Sequence, residues 1–112
     1  FGREAISVQT DITRSKEVDA MVDRALERFG KVDILVNNAG RLSRIPVVPL
    51  PGAELAHPYV TRDPFTRTSD DEWNDIIDTN LNGVFYCCRA VAPHMMKRRY
   101  GKIINISSPI PK

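Results

Sequence analysis

The sequence predicts an α/β fold built on a parallel sheet. Short β-like runs alternate with helical stripes in the order strand, helix, strand, long loop, long helix, strand. Ile34-Leu35-Val36 is a continuous apolar run, as in a strand buried on both faces by flanking helices. The strands end in small polar residues, which suits the edge where open parallel sheets bind ligands.

Ala5-Ile6-Ser7-Val8-Gln9 alternates apolar and polar residues and is expected to form the first strand. Thr10 to Thr13 turns the chain, and Thr13 or Ser15 is expected to cap the next helix. Val18, Met21, Val22, Ala25, Leu26 and Phe29 fall on one stripe of that helix. Gly30 suits the left-handed residue that ends it. Val32 to Val36 is the second strand. Asn37-Asn38-Ala39-Gly40 then forms a turn that lets another group approach the backbone.

Residues 41–68 show no period and hold Pro46, Pro49, Pro51, Pro58 and Pro64, which disfavour helix interior and central strand. They are expected to form one long excursion, with a short helical turn near Glu54 to Ala56. Loops beyond about 12–15 residues are often functional. Ser69-Asp70-Asp71-Glu72 is a capping box, with acid in the first turn. The helix it opens carries Trp73, Ile76, Ile77, Leu81, Val84, Phe85, Cys88, Val91, Ala92 and Met95 on a broad apolar face. Trp73 is expected to anchor the core. Asn80 and Gly83 interrupt the face and predict a bend near Asn80, and Pro93 predicts a kink. Arg98-Arg99-Tyr100-Gly101 ends the helix with basic residues and then Gly. Lys102 to Ile106 is the last strand, and Ser107-Ser108-Pro109 turns away from it.

The bulk numbers narrow the function classes. The 112 residues suffice for one modest core. A net charge of +2, with scattered basic residues, argues against nucleic acid. No apolar run is long enough to span a bilayer, so no membrane role is expected. Phe1-Gly2-Arg3-Glu4 does not open a secretory signal. Cys87 and Cys88 are adjacent and cannot bridge each other on a helix, so a reducing, cytoplasmic setting is expected. His57 is read as solvent-exposed, and Cys87 and Cys88 are too few ligands to hold a metal, so no metal site is expected.

Right-handed crossovers place all strand C-termini on one edge. The residues delivered there are Asp11, then Asn37 to Gly40, then Ser107 and Ser108. They are small, polar and suited to hydrogen bonding, but they do not by themselves name a ligand.

Four of these features, in this order and spacing, resemble the short-chain dehydrogenase/reductase family. They are Asp11-Ile12, Asn37-Asn38-Ala39-Gly40, Asn80 within Asp78-Thr79-Asn80-Leu81-Asn82-Gly83-Val84-Phe85, and Gly101-Lys102-Ile103-Ile104-Asn105-Ile106-Ser107-Ser108. The resemblance implies a partial Rossmann-like, doubly wound parallel sheet, with residues 1–112 as the central segment of a single domain. It implies NAD or NADP as cofactor and a small alcohol or ketone as substrate. By the same resemblance Asp11 hydrogen-bonds the adenine amine, with Ile12 packed beside it. Asn38, Ala39 and Gly40 line the dinucleotide, and Ser107 lies beside the nicotinamide. Asn80 and Ser108 are the catalytic residues. Asn80 bends its helix so that its backbone carbonyl holds a water of the proton relay, and Ser108 hydrogen-bonds the reacting oxygen. Those types suit the chemistry: a fixed donor stabilises the oxygen that hydride transfer leaves negative, and a relay brings its proton. The loop 41–68 is expected on the substrate side, and a homodimer or tetramer is expected to pair through the long helix.

Two departures stand against a complete enzyme. The family's glycine-rich phosphate loop, which precedes this region, is not in the sequence. Tyr59, Tyr86 and Tyr100 are followed four residues later by Asp63, Ala90 and Ile104, so none makes the family's Tyr-x-x-x-Lys pair. An internal segment, lacking the first βαβ unit and the C-terminal part and inactive alone, is therefore expected. Arg41 stands where an apolar residue is common, and Arg41, Arg44, Arg62 and Arg67 either recognise an acidic substrate or decorate a solvated loop. The alternative function is a non-catalytic dinucleotide-binding or scaffold protein of the same fold. A related epimerase or dehydratase fits less well, since the Asn-Asn-Ala-Gly and helix asparagine are not expected there.

Overall fold

The computed structural model describes residues 4–41 and 69–107. The expected helical turn at 54–56, His57, Arg44, Arg62, Arg67, most of the long loop and Ser108 lie outside the described residues.

Helix α1 spans Ser15–Phe29. Neither Thr13 nor Ser15 caps it. Arg14 holds the N-cap position without a side-chain cap bond, because Thr13 is committed to Asp11. The Asp11 Oδ1 accepts from the Thr13 amide at 3.0 Å and from its hydroxyl at 2.8 Å. Glu17, in the first helical turn, accepts from the Asp11 amide at 2.9 Å. A carboxylate there also suits the positive end of the helix. Gly30 ends α1 as expected, at φ 74°, donating to the Leu26 carbonyl. Val18 and Val22 are buried, and Met21 and Leu26 partly so, while Phe29 at the end of the stripe is exposed.

Strands β1 (Ile34–Asn37) and β2 (Lys102–Asn105) pair in parallel, Ile34 opposite Lys102 and Asn37 opposite Asn105. The expected first strand at residues 5–9 does not form. Alternation gives a chain two faces, but a strand also needs a hydrogen-bonded neighbour, and among the described residues the sheet has only β1 and β2. An Arg28–Glu4 ion pair ties this segment to α1 instead. The expected burial of β1 on both faces also fails among the described residues. Leu35 packs into the core, whereas Ile34 and Val36 are half-exposed on the other face.

The long helix is three pieces: α2 (Asp70–Ile77), a π-helical turn (Asp78–Asn82) and α3 (Gly83–Arg98). The capping box is complete. The Ser69 hydroxyl accepts from the Glu72 amide, and the Glu72 carboxylate accepts from the Ser69 amide. Trp73 is 50% exposed and anchors no core among the described residues; it sits on α2, which buries no residue. The helix instead buries Gly83, Cys87, Val91 and Met95, a row of every fourth residue along α3. Val91 and Met95 join Val22 of α1 to form the core under β1. Helix α3 continues through Pro93 to Arg98 without a break.

The end of α3 differs from expectation. Arg99, at φ 53°, is the left-handed C-cap, not Gly101. Its amide and that of Tyr100 satisfy the Met96 and Met95 carbonyls. Glycine at 101 serves packing instead: a Cβ there would collide with the Met95 side chain. Arg98 then clips the helix to the start of β1, donating to the Val32 carbonyl at 3.1 Å and pairing with Asp33. Lys31 first, then Arg98, hold the Asp33 carboxyl below its ordinary range.

Gly101→Ala is expected to destabilise by about 1–3 kcal/mol in urea unfolding, because Met95 must move. In a Met95→Ala background the added loss should shrink by about 1 kcal/mol; equal losses in both backgrounds would show that the two positions do not meet.

Candidate functional site

Because β1 and β2 are parallel, their C-terminal ends open on one edge. The chain leaves β1 through Asn38, Ala39 and Gly40, all exposed, and leaves β2 through Ile106 and Ser107, also exposed. Two bonds close the gap between these exits. The Ile106 amide donates to the Asn37 carbonyl at 2.9 Å. The Asn37 Nδ2 donates to the Asn105 Oδ1 at 2.8 Å and lies 3.4 Å from the Cys88 Sγ on α3. Asn37 is 8% exposed, the one polar or charged side chain buried among the described residues. Such burial is tolerable because its donors are engaged.

Asn80 meets this edge from below. It lies in the π-helical turn, where the Gly83 amide reaches back five residues to the Asp78 carbonyl. The Thr79 hydroxyl donates to the Asp75 carbonyl at 2.9 Å, a bond that bends helices. The interruption expected near Asn80 takes the form of a widened turn, which recurs at functional sites. The Asn80 side chain uses both halves of its amide on one residue. Its Oδ1 accepts from the Arg41 amide at 2.7 Å, and its Nδ2 donates to the Arg41 carbonyl at 2.7 Å. This copies the paired bonds of a sheet ladder and fixes the residue after Gly40. The Arg41 guanidinium turns back to pair with Asp75 at 2.5 Å.

Asp11 and Ile12 reach the same region through Gly83. A Cβ at Gly83 would sit 2.8 Å from the Ile12 Cδ1 and 3.3 Å from its carbonyl oxygen. Glycine thus lets the Asp11-Ile12 turn rest on the start of α3. The Asp11 carboxyl is held below its ordinary value of 3.8, first by the Thr13 hydroxyl and amide and then by Arg14, which stands 3.3 Å from Oδ2. It is exposed and charged at neutral pH, and a carboxylate has room for a further donor beyond these.

The structure thus brings Ile12, Gly40, Asn80 and the exit of β2 toward Ser107 onto one shelf. Ser108 lies outside the described residues. The sequence reading missed Asn37 and Gly83 as builders of this shelf. Their signals were a polar residue closing an apolar strand and a glycine inside a helix, a mark of close approach. Two shallow concavities lie elsewhere, one beside Asp71 to Asp78 and one beside Ile6, Arg24 and Arg28. Cys87 is buried, and burial, with Cys88 second, pushes its thiol up, so it is no ready nucleophile.

Gly40 tests whether a planar cofactor fits the shelf. Its φ is not left-handed. A Cβ there would meet only the Asn80 Oδ1, at an ordinary 3.5 Å, among the described residues. Among the described residues neither backbone nor packing requires glycine there, and its surface is exposed. That is the arrangement a group lying flat on the backbone would need.

Asn80→Leu is expected to cost about 0.5–1.5 kcal/mol per lost bond and to speed exchange of the Arg41 amide by about two- to tenfold. Asn80→Asp keeps the acceptor for that amide but sets a second oxygen against the Arg41 carbonyl in place of the Nδ2 donor, so its exchange should rise as well; wild-type exchange of the Arg41 amide in Asn80→Leu would refute the clasp. Asp11 stabilises the fold above its ordinary pKa and loses that contribution as pH falls through its lower folded value. Its NMR titration midpoint should lie below 3.8, and Thr13→Ala should move it up; no movement would mean that Thr13 does not hold it.

Comparison with known proteins gives one answer. The short chain dehydrogenase family model matches residues 2–112. The 3-oxoacyl-[acyl-carrier-protein] reductase FabG of Staphylococcus epidermidis is 37% identical over 108 residues, covering 96% of this chain and 36% of that protein. The 3-oxoacyl-[acyl-carrier-protein] reductase of Synechocystis sp. is 38% identical over 108 residues, with the same coverage of 96% and 36%. The chain therefore spans about a third of the length of these curated relatives. Among solved structures, a short-chain dehydrogenase from Streptomyces avermitilis superposes at a TM-score of 0.70 and 30% identity, over 90% of this chain and 31% of that one. ElxO with NADP bound superposes at 0.70 and 30%, over 90% and 34%. NAD+-bound xylitol dehydrogenase superposes at 0.70 and 28%, over 91% and 33%. The matched family, the partial α/β sheet and the shelf at its strand ends agree, and the chain belongs to the short-chain dehydrogenase family.

Proposed function

We propose that this chain is the central segment of an NAD(P)-dependent oxidoreductase that moves hydride between a nicotinamide and a carbonyl or hydroxyl carbon. The open backbone at Gly40, held in place by the Asn80 clasp, carries the reading. NADP-bound ElxO and NAD+-bound xylitol dehydrogenase support a nicotinamide dinucleotide on such a shelf. The relatives named as 3-oxoacyl reductases support carbonyl reduction as the direction of the reaction.

In this reading the Asp11 carboxylate accepts from the adenine amine, and Ile12 packs beside it. Asn38, Ala39 and Gly40 line the dinucleotide, with Ser107 on the nicotinamide side. The Asn80 side chain is spent on Arg41, so its contribution to proton movement falls to its backbone carbonyl, which would hold a water. The Ser108 hydroxyl donates to the reacting oxygen. The nicotinamide, when bound, supplies or takes the hydride. Residues 1–112 belong to one dinucleotide-binding domain, and the 41–68 loop borders the substrate, because it leaves the shelf at Gly40. Leu81 and Phe85, 61% and 55% exposed on the long helix, support pairing of two copies in a dimer or tetramer. A small alcohol or ketone is the substrate class. No helix among the described residues is long and apolar enough to cross a membrane.

The test is nicotinamide-dependent turnover by the complete protein. Ser108→Ala should lower kcat by about 10²–10³-fold, as for other fixed donors to a developing oxyanion, with cofactor binding retained by nicotinamide fluorescence. Binding without turnover in the wild type would favour the non-catalytic, dinucleotide-binding reading. The 112-residue chain by itself should be inactive.

A further inference from the structure

The amide pair between the strand exits touches neither cofactor nor substrate in the proposed arrangement. Asn37 and Asn105 are register partners at the last rung of the two-stranded ladder. Their side chains project from the same face, and the Asn37 Nδ2 donates to the Asn105 Oδ1 at 2.8 Å. The same nitrogen lies 3.4 Å from the Cys88 Sγ, so β1, β2 and α3 meet at one amino group. Asn37 immediately precedes the turn 38–40, and Asn105 lies two residues before Ser107. The ends of a ladder fray first. Among the described residues, beyond this rung only the Ile106 amide, donating to the Asn37 carbonyl, joins the two exits in the backbone.

We propose that Asn105 is a positioning residue: by holding the Asn37 amide it fixes the turn after β1 against the turn after β2. This rests on the oxidoreductase reading, in which the first turn carries the cofactor and the second carries the donor to the reacting oxygen. The separation of the two turns then sets the distance between hydride and substrate. Each turn still binds its own ligand when the pair is cut, but the two ligands are no longer held in reacting geometry. The consequence belongs to kcat more than to binding.

The experiment compares wild type, Asn105→Ala and Asn105→Asp in the complete protein. Asn105 is exposed, so both variants are expected to fold, and thermal unfolding checks that they do. Asn105→Ala should lower kcat by about ten- to a hundredfold, as for a misplacement on the order of 1 Å. The KM for the nicotinamide should change by less than about threefold. Asn105→Asp keeps an acceptor for the Asn37 amide and should recover most of the loss, and Cys88→Ser, which also keeps an acceptor, should stay close to wild type. A lowered Tm with unchanged kcat in Asn105→Ala would overturn the positioning role, and so would an Asp variant no better than Ala. Wild-type protein without nicotinamide-dependent turnover would remove the oxidoreductase reading itself, and the role with it. An active wild type with an indifferent Asn105 removes the role alone.

Discussion

Two strands that are neighbours and parallel cannot be joined by a tight turn, so the chain between β1 and β2 must return the full length of the sheet. Most of the structure depends on that constraint. The returning element is the long helix, and its last part, α3, lies over the sheet. Its buried row meets the stripe of α1, and β1 is supported between them. The clip from Arg98 to Val32 and Asp33 fixes the lower end of this layer. The Asn37 junction fixes the upper end, where the strands release their turns. The same crossover puts both exits on one side of the molecule.

What the sequence made legible is what local physics decides. The α1 stripe, Gly30 at its end, the Ser69 capping box and the interruption near Asn80 each depend on residues within a few positions of one another. Part of what failed depends on partners distant in sequence. The alternating run at 5–9 is a strand only with a neighbour beside it. Trp73 is core only if something packs on α2. The ending of α3 went to Arg99 because the close approach of Met95 reserves Gly101 for space rather than for a left-handed turn. The cap of α1 was lost to a local competitor instead, since Asp11, two residues away, bound the Thr13 that would have served.

The site shows a similar division. The residues of the shelf were readable as small and polar groups at strand ends, and Asn38, Ala39, Gly40 and Ser107 are indeed exposed there. What the sequence did not reveal is how the shelf is held. The expectation for Asn80 concerned its backbone carbonyl; its side chain is occupied with the Arg41 backbone. Asn37, the least exposed member of the Asn-Asn-Ala-Gly run, works beneath the surface its neighbours present. Holding and presenting are thus done by different residues of one motif.

The widened turn at Asp78–Asn82 also bears on how relatives are aligned. A π turn is a helix that has absorbed one extra residue while its flanks keep their own hydrogen-bond ladders. Removing one residue between Ile77 and Gly83 would restore an unbroken α-helix without disturbing the capping box before it or the buried row after it. It would also turn the Asn80 position away from Arg41. A one-residue gap at this place in a relative is therefore a change of architecture, a sign that its loop after Gly40 is held by some other means.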